Sequence, residues 1–417
     1  MNFWYNSPIQ HATPVAHATP LIHTSIHQQS SITFKYSDLY TPSRMACFLD
    51  YAFHHSLHDE SLVANPMTVG IIANPVSARD IRRIIAHAAN LQITDRANMV
   101  LRILAGLHHA GIDNVVMMPE RAGLGVHIQR GLKQAQYADH TRFPTLSWLD
   151  MPITGTAQDT VCAAHLMRQQ NVSAIVVLGG DGTHRLVVRE CGNIPIAGVS
   201  SGTNNAFPPL QEPTITGLAT GLAISGKIPA SLAFRGNKLF EVRVNERRDI
   251  ALVDVAVVRE QFTGALAVWR AESLRELFVT FGRTDGIGLS SIAGLLNPVS
   301  RDQPVGLHVR FAHNTPAAFS LSAPLAPGLM AKLPIQSVDT LSPNATLSLS
   351  TTSGSLALDG ERELPFSASD SVSITLHLDA FHTIDVERCM AFAARHGLFI
   401  QRDGHKPVSI SQGEHHE

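Results

Sequence analysis

Between residue 68 and about residue 227 the apolar positions keep switching period. Short β-rich apolar runs over 69–73, 114–118, 146–151, 174–178 and 194–199 predict strands. Between them the spacing becomes that of amphipathic helices, over 79–89, 97–109, 126–136, 160–170 and 183–190. Strands that alternate with helices are buried on both faces, so this part is expected to be a Rossmann-like parallel sheet with helices on either side. From 228 to about 378 the texture changes to short alternating β runs, over 231–235, 239–244, 251–258, 306–311, 345–350, 355–358 and 372–378, separated by Gly, Pro and Ser. That pattern predicts an all-β, sandwich-like domain. One helix is expected to interrupt it near 266–281, and a last helix over 384–396 is placed to pack back on the first domain. The predicted plan is therefore an α/β domain over 67–227, an all-β domain over 228–380, and a C-terminal helix and tail over 381–417.

Residues 1–66 show neither period. They hold a loose repeat, His11-Ala12-Thr13-Pro14 and His17-Ala18-Thr19-Pro20, in a Ser/Thr/Gln-rich setting. The histidines fall in no recurring ligand spacing on a helix or hairpin, so the segment reads as a poorly ordered or loosely docked leader rather than a metal site. The patterned part begins at Met67, which suggests a start of translation there.

Composition narrows the function classes. With 417 residues the chain is long enough for two domains with proper cores. Lys plus Arg number 32 against 34 for Asp plus Glu, so nothing in the net charge of −2 recruits nucleic acid or an anionic membrane. No run approaches the ~18 uninterrupted apolar residues of a membrane span, and the N-terminus lacks the basic and apolar regions of a secretory signal. Cys47, Cys162, Cys191 and Cys389 are scattered and form no C-x-x-C. That favours a reducing cytoplasm over a disulfide framework or a zinc site.

The chemistry concentrates at Gly179-Gly180-Asp181-Gly182-Thr183, where the strand over 174–178 stops and a helix begins. A strand, a tight glycine turn and a helix start set backbone N–H groups against phosphate. Asp181 places an acid in that anion site. This makes sense if it holds Mg²⁺ carried on the phosphates or takes a proton from an attacking hydroxyl. A second polar loop, Ser200-Ser201-Gly202-Thr203-Asn204-Asn205, follows the strand over 194–199. Its glycine allows a turn, and its hydroxyl and amides suit a ribose or adenine edge. Ligands on parallel sheets sit at the C-terminal ends of strands, and Asn74, Asp181 and Gly202 all fall there. Asp159 and Thr160 read as helix N-caps. His184 is placed for solvent or phosphate contact, and Arg82 and Arg83 read as a solvated face.

These strings resemble the NAD kinase and diacylglycerol kinase superfamily. Gly179 to Thr183 matches its G-G-D-G-T signature, and Gly202 to Asn205 resembles its second nucleotide loop. Asp359-Gly360-Glu361 resembles its D-G-E motif, where two acids lie near the reacting phosphate, although D-G is also a hairpin turn. Asn74-Pro75-Val76-Ser77 resembles the lipid kinases' first loop, with Ala78 where that family has Gly. Gly155 to Thr160 and Gly286 to Leu296 narrow the likeness to the AcoX type, NAD-kinase-like proteins linked with acetoin catabolism. The resemblance implies a two-domain kinase with ATP and Mg²⁺, NAD as the acceptor and NADP as product, and a homo-oligomer. Its implied catalytic residues are Asp181, Asp359 and Glu361. Its implied nucleotide contacts are Asn74, Gly179, Gly180, Gly182, Thr183, Gly202, Thr203, Asn204 and Asn205. One departure stands out: the NAD kinases' Asn-Glu pair falls here on Val253-Asp254. A lipid or polyol kinase, and a nucleotide-binding regulator without catalysis, are the alternatives.

Overall fold

The computed structural model describes residues 67–75, 91–138, 142–202, 205–259, 271–313 and 316–400. The leader, the helix expected over 79–89, Ala78, Arg82, Arg83, Thr203, Asn204 and the tail beyond 400 lie outside them. The first half runs β1 (Thr68–Ile72), α1 (Ile93–His109), β2 (Asn114–Met117), α2 (Leu124–Ala138), β3 (Thr145–Trp148), α3 (Gln158–Gln169), β4 (Ala174–Gly179), α4 (Asp181–Cys191), β5 (Ile196–Ser200) and α5 (Pro213–Ile224). The second half runs α6 (Ala230–Ala233), β6 (Phe234–Val244), β7 (Arg247–Ala251), β8 (Asp254–Val258), β9 (Leu274–Val279), α7 (Leu289–Leu296), β10 (Gly306–Phe311), β11 (Phe319–Ala326), β12 (Leu329–Leu341), β13 (Thr346–Leu347), β14 (Gly354–Leu358), β15 (Glu361–Phe366), β16 (Val372–Ile384) and α8 (Val386–Arg395).

The first five strands are parallel, in the order β3-β2-β1-β4-β5. Alternate residues of β1, β2, β4 and β5 enter different cores, whereas the edge strand β3 turns Thr145 and Ser147 to solvent. Val69, Ile71, Val176 and Leu178 meet α1 and α5 through Ile103, Leu107, Ala219 and Leu222. Ile72, Ile175 and Val177 meet α3 and α4 through Ala163, Met167 and Val187. Burial on both faces explains why these strands read as continuous apolar runs. α5 was not foreseen, because its glycine-rich, nearly all-apolar sequence carries no stripe. Glu212 caps it by accepting from Ile215 N. It crosses α1 at close range: a Cβ on Gly106 would sit 2.2 Å from Thr214 O, and one on Gly217 2.2 Å from Ile103 O.

The sheet does not stop at β5. β16 joins it in parallel through Thr383 and Ile196, and β6 and β7 follow antiparallel. With β13 paired to β16, nine strands form one sheet. The other sheet has seven antiparallel strands, β11-β12-β10-β9-β8-β14-β15. Its inner face packs on the extension of the first sheet, with Val255, Val257, Phe278 and Leu358 against Phe240, Val242, Ile374 and Leu376. Its outer face is covered by α7 through Leu289, Ile292 and Ala293. α8 returns to the first core with Val386, Cys389 and Ala393.

Three expectations are corrected. Residues 274–279 form β9, a central strand between β8 and β10, not part of a helix. A doubly buried strand is nearly all apolar and cannot be told from a buried helix by period alone; residues 260–270 lie outside the described set. The strand expected over 251–258 is broken at Leu252 and Val253, where the chain crosses from one sheet to the other. Residues 230–233 are helical, and the strand starts at Phe234.

Candidate active site

All six residues of β4 are buried, and Gly180 caps α4, which starts at Asp181 rather than near Thr183. The Asp181 carboxylate accepts from Ala206 N at 2.9 Å and Phe207 N at 2.8 Å. It thereby fastens the helix start to the second loop. The glycines make room for that loop and its neighbours: a Cβ on Gly180 would lie 2.8 Å from Asn205 Oδ1, and Gly179 sits against the buried Thr183 side chain. Within the second loop, Ser200 Oγ donates to Gly202 O at 2.9 Å and accepts from Asn205 Nδ2 at 2.8 Å.

The D-G-E segment lies against the same turn. Asp359 and Gly360 both have positive φ, 51° and 82°, as a two-residue hairpin of type I′ requires. Asp359 points inward. Its Oδ1 accepts from Val253 N at 2.8 Å and Leu252 N at 3.0 Å, and its Oδ2 lies 3.6 Å from Arg185 Nε. Burial pushes its carboxyl up to about 7, with Arg185 opposing the shift. Glu361 points the other way: its Oε1 would be 3.3 Å from a Cβ on Gly182. The segment is thus a turn and a site neighbour together.

Asn74 is buried and donates to Thr156 O at 2.9 Å and Thr160 Oγ1 at 3.1 Å, tying the end of β1 to the loop before α3. The expected N-caps are corrected: α3 starts at Gln158, and the Asp159 carboxylate gathers Thr154 N and Gly155 N, both at 2.8 Å, from the preceding loop. His184 is also corrected. It is fully buried, Nδ1 lies 2.9 Å from Gly180 O, and its ring packs on Phe207. Burial pulls it down to about 4. Arg185, likewise buried, bridges Asp249 at 3.2 Å and Asp359. Its partners lie far along the chain, so no local motif announced it.

Residues 69–227 match the ATP-NAD kinase N-terminal domain family, and residues 238–379 match the acetoin catabolism protein X C-terminal domain family. The chain is 50% identical over 335 residues to acetoin catabolism protein X of Cupriavidus necator, covering 79% of this chain and 93% of that one. The chain belongs to the acetoin catabolism protein X family.

Among solved structures, yeast NADH kinase complexed with NADH is similar at 14% identity and a TM-score of 0.41, over 82% of this chain and 91% of that one. A putative diacylglycerol kinase from Bacillus anthracis str. Sterne is similar at 11% identity and a TM-score of 0.38, over 76% and 97%. The fold of this AcoX-family chain is the NAD kinase-like pairing of a mainly parallel α/β domain with an antiparallel β domain. Among the described residues no helix is long and apolar enough to cross a membrane, and no three His, Cys, Asp or Glu converge to hold a metal ion. Cys191 and Cys389 are free and buried. Beside the glycine turn lies a cavity of about 650 Å³, walled by Asn205, Phe207, Arg235, Arg283, Ser290 and Arg301. Its three arginines come from separate segments, so no local pattern in the sequence marks them.

Proposed function

We propose that this chain transfers a phosphoryl group from ATP to a hydroxyl of a small acceptor, with the 2′-hydroxyl of NAD as the leading candidate and NADP as the product. The observation that carries this reading is Glu361 against Gly182, at the first turn of α4. A helix start with exposed N–H groups favours phosphate, and a carboxylate beside it suits a metal-bound phosphate or an acceptor proton. The match of residues 69–227 to the ATP-NAD kinase N-terminal domain supports the same reading.

The roles divide by environment. Gly179, Gly180, Gly182 and Thr183 form the phosphate turn. Gly202, Thr203, Asn204 and Asn205 meet the nucleotide's ribose and base, and Asn74 braces the loop nearby. Asp181, fastened to the second loop through two amides, is the acid assigned to the acceptor hydroxyl. Asp359, buried under Leu252 and Val253, positions the hairpin that presents Glu361. The described residues supply no metal cage of their own, which suits Mg²⁺ arriving on the nucleotide, since that ion takes one or two carboxylates plus phosphates. Asp181 and Glu361 would hold it, and it would neutralise charge on the phosphates. Cytoplasmic residence and a homo-oligomeric state belong to this reading.

One observation favours a second reading. Val253 is fully buried with its N–H on Asp359, so this position offers no side-chain contact to a ligand. That fits another hydroxyl acceptor, a lipid or polyol, or nucleotide binding without catalysis in the service of acetoin catabolism. The test is incubation of the purified chain with ATP, Mg²⁺ and NAD, followed by chromatography for NADP, beside Asp181→Asn and Glu361→Gln. NADP from the wild type alone supports the kinase. Stabilisation by ATP with no phosphate transferred to NAD, lipid or polyol moves the chain to the regulatory class.

A further inference from the structure

The cavity beside the glycine turn has an unusual charge distribution. Arg283 is held in a two-point pair with Asp285, at 2.8 and 2.5 Å. Arg235 lies 2.8 Å from Asp385 and 3.6 Å from Asp302. Arg301 differs. Its guanidinium is stacked between Phe207 and Phe281, 4.6 and 4.4 Å from the ring centroids. Its Nη2 donates to Ala206 O at 3.2 Å and to Phe207 O. Those acceptors are neutral, and among the described residues no carboxylate lies within ion-pair distance of it. An arginine carries five N–H donors, and Nε and Nη1 have no hydrogen-bond partner among the described residues. Glu387, the remaining acid of the wall, is exposed on α8.

This cation is held in place from two sides. The loop that carries it is pinned by Lys238, whose Nζ donates to Ser300 O, Gln303 O and Val305 O at 3.0, 2.8 and 2.7 Å. The Ala206–Phe207 segment is gripped by Arg301 through its carbonyls and by Asp181 through its amides. Burial pulls the guanidinium down to about 10, with the nearby Asp181 carboxylate opposing the shift and Arg235 and Arg283 adding to it. A cation fixed between aromatic faces, with donors to spare toward a cavity, is a fork suited to the paired oxygens of an anion.

We propose that Arg301 is an anion-binding residue of this cavity, and that the molecule taken up there carries a phosphate or carboxylate group. The inference rests on the kinase reading only for the word acceptor. The cavity shares Asn205 and the Ala206–Phe207 peptide with the glycine turn, so a bound anion would place the rest of its molecule beside Asp181. The anion is the phosphate of a nucleotide-like acceptor or the carboxylate of a small hydroxy acid, and the two are separated by the probes.

The test is calorimetric titration of the full chain, without ATP, using inorganic pyrophosphate and, separately, gluconate. Wild type should bind at least one of them in a salt-sensitive way, and Arg301→Gln should bind it about 10- to 100-fold more weakly, the loss expected for a charge-assisted contact. Pyrophosphate alone assigns a phosphate, gluconate alone a carboxylate. No binding of either to wild type, or equal binding to both proteins, overturns the proposal; equal binding would place the anion at the glycine turn instead. Should Arg301→Gln fail to fold, Leu210→Trp decides, since Leu210 is 81% exposed at the rim of the cavity. Binding with a change in that tryptophan's emission supports the site, and binding without one overturns it. A chain that makes no NADP but binds the probe through Arg301 loses the kinase reading and keeps this one. A chain that makes NADP and ignores Arg301 does the reverse.

Discussion

Asp359 gives the sharpest test of how the D-G-E hairpin is built. Its carboxyl is buried beneath backbone amides, and desolvation raises it from 3.8 to about 7. A folded-state value above the unfolded one means that the native protein binds the extra proton. Its stabilisation is therefore complete below about pH 4 and is lost as the pH rises through about 7. At 1.36 kcal/mol per unit, roughly 2–3 kcal/mol should remain near pH 5 and almost none near pH 8. Asp359→Asn removes the titration while keeping an acceptor for Val253 N and a residue that tolerates φ of 51°. His184 acts with the opposite sign. Its folded value is lowered to about 4, so its contribution is present above about 6.5 and is lost as the pH falls toward 4. For that reason the observable is the difference between wild type and variant, in which His184 cancels. Urea unfolding followed by circular dichroism near pH 5 and pH 8 measures it. Wild type should lose about 2–3 kcal/mol relative to Asp359→Asn between the two conditions. Parallel profiles would refute the reasoning and show that Asp359 is ionised throughout.

Other outcomes follow from the same geometry. Arg185→Met leaves Asp359 buried without its cation, while Asp249 keeps Arg189 at 3.6 Å, and should cost about 3–5 kcal/mol in urea unfolding; adding Asp359→Asn should recover part of it. Gly106→Ala drives a methyl group into the Thr214 carbonyl, a backbone atom with nowhere to go. It should cost about 1–3 kcal/mol or more, read as a lowered melting temperature. Asp181→Ala strands the Ala206 and Phe207 amides, so it should weaken ATP-dependent thermal protection and lower stability by about 1–3 kcal/mol per amide. Asp181→Asn, which keeps one acceptor, should be milder in stability, and equal losses in the two variants would show that the clasp to the second loop carries no weight.

Much of the architecture was legible because the periods are strong. β1, β2, β4 and the helices beside them announce themselves, and the abrupt end of an apolar run in Gly179-Gly180-Asp181 located the turn. What escaped was whatever depends on distant partners. Arg185, His184 and Arg301 look ordinary in sequence, since an isolated Arg or His in a polar stretch is usually solvated. Their burial comes from Asp249, Asp359, Phe207 and Phe281, which other elements bring in. β9 was read as helix because its residues are buried on both faces, and α5 was overlooked because small residues at a close helix crossing leave no stripe. Asp359-Gly360-Glu361 showed the limit most plainly: the string allowed both a turn and a site, and only the direction of each side chain separates Asp359 from Glu361.

The strand that covers the open edge of the parallel strands is the last one made among the described residues. β5 waits for Thr383 of β16 to cover its open side at Ile196, and most of the second half must leave the ribosome first. At cellular synthesis rates this is a delay of roughly 10 to 40 s. During it the nascent chain carries an unpaired, largely apolar sheet edge, the kind of surface that recruits other strands. Yield in the cell should therefore respond to translation speed downstream of residue 200 and to chaperones that shield that edge, even where the finished protein is stable.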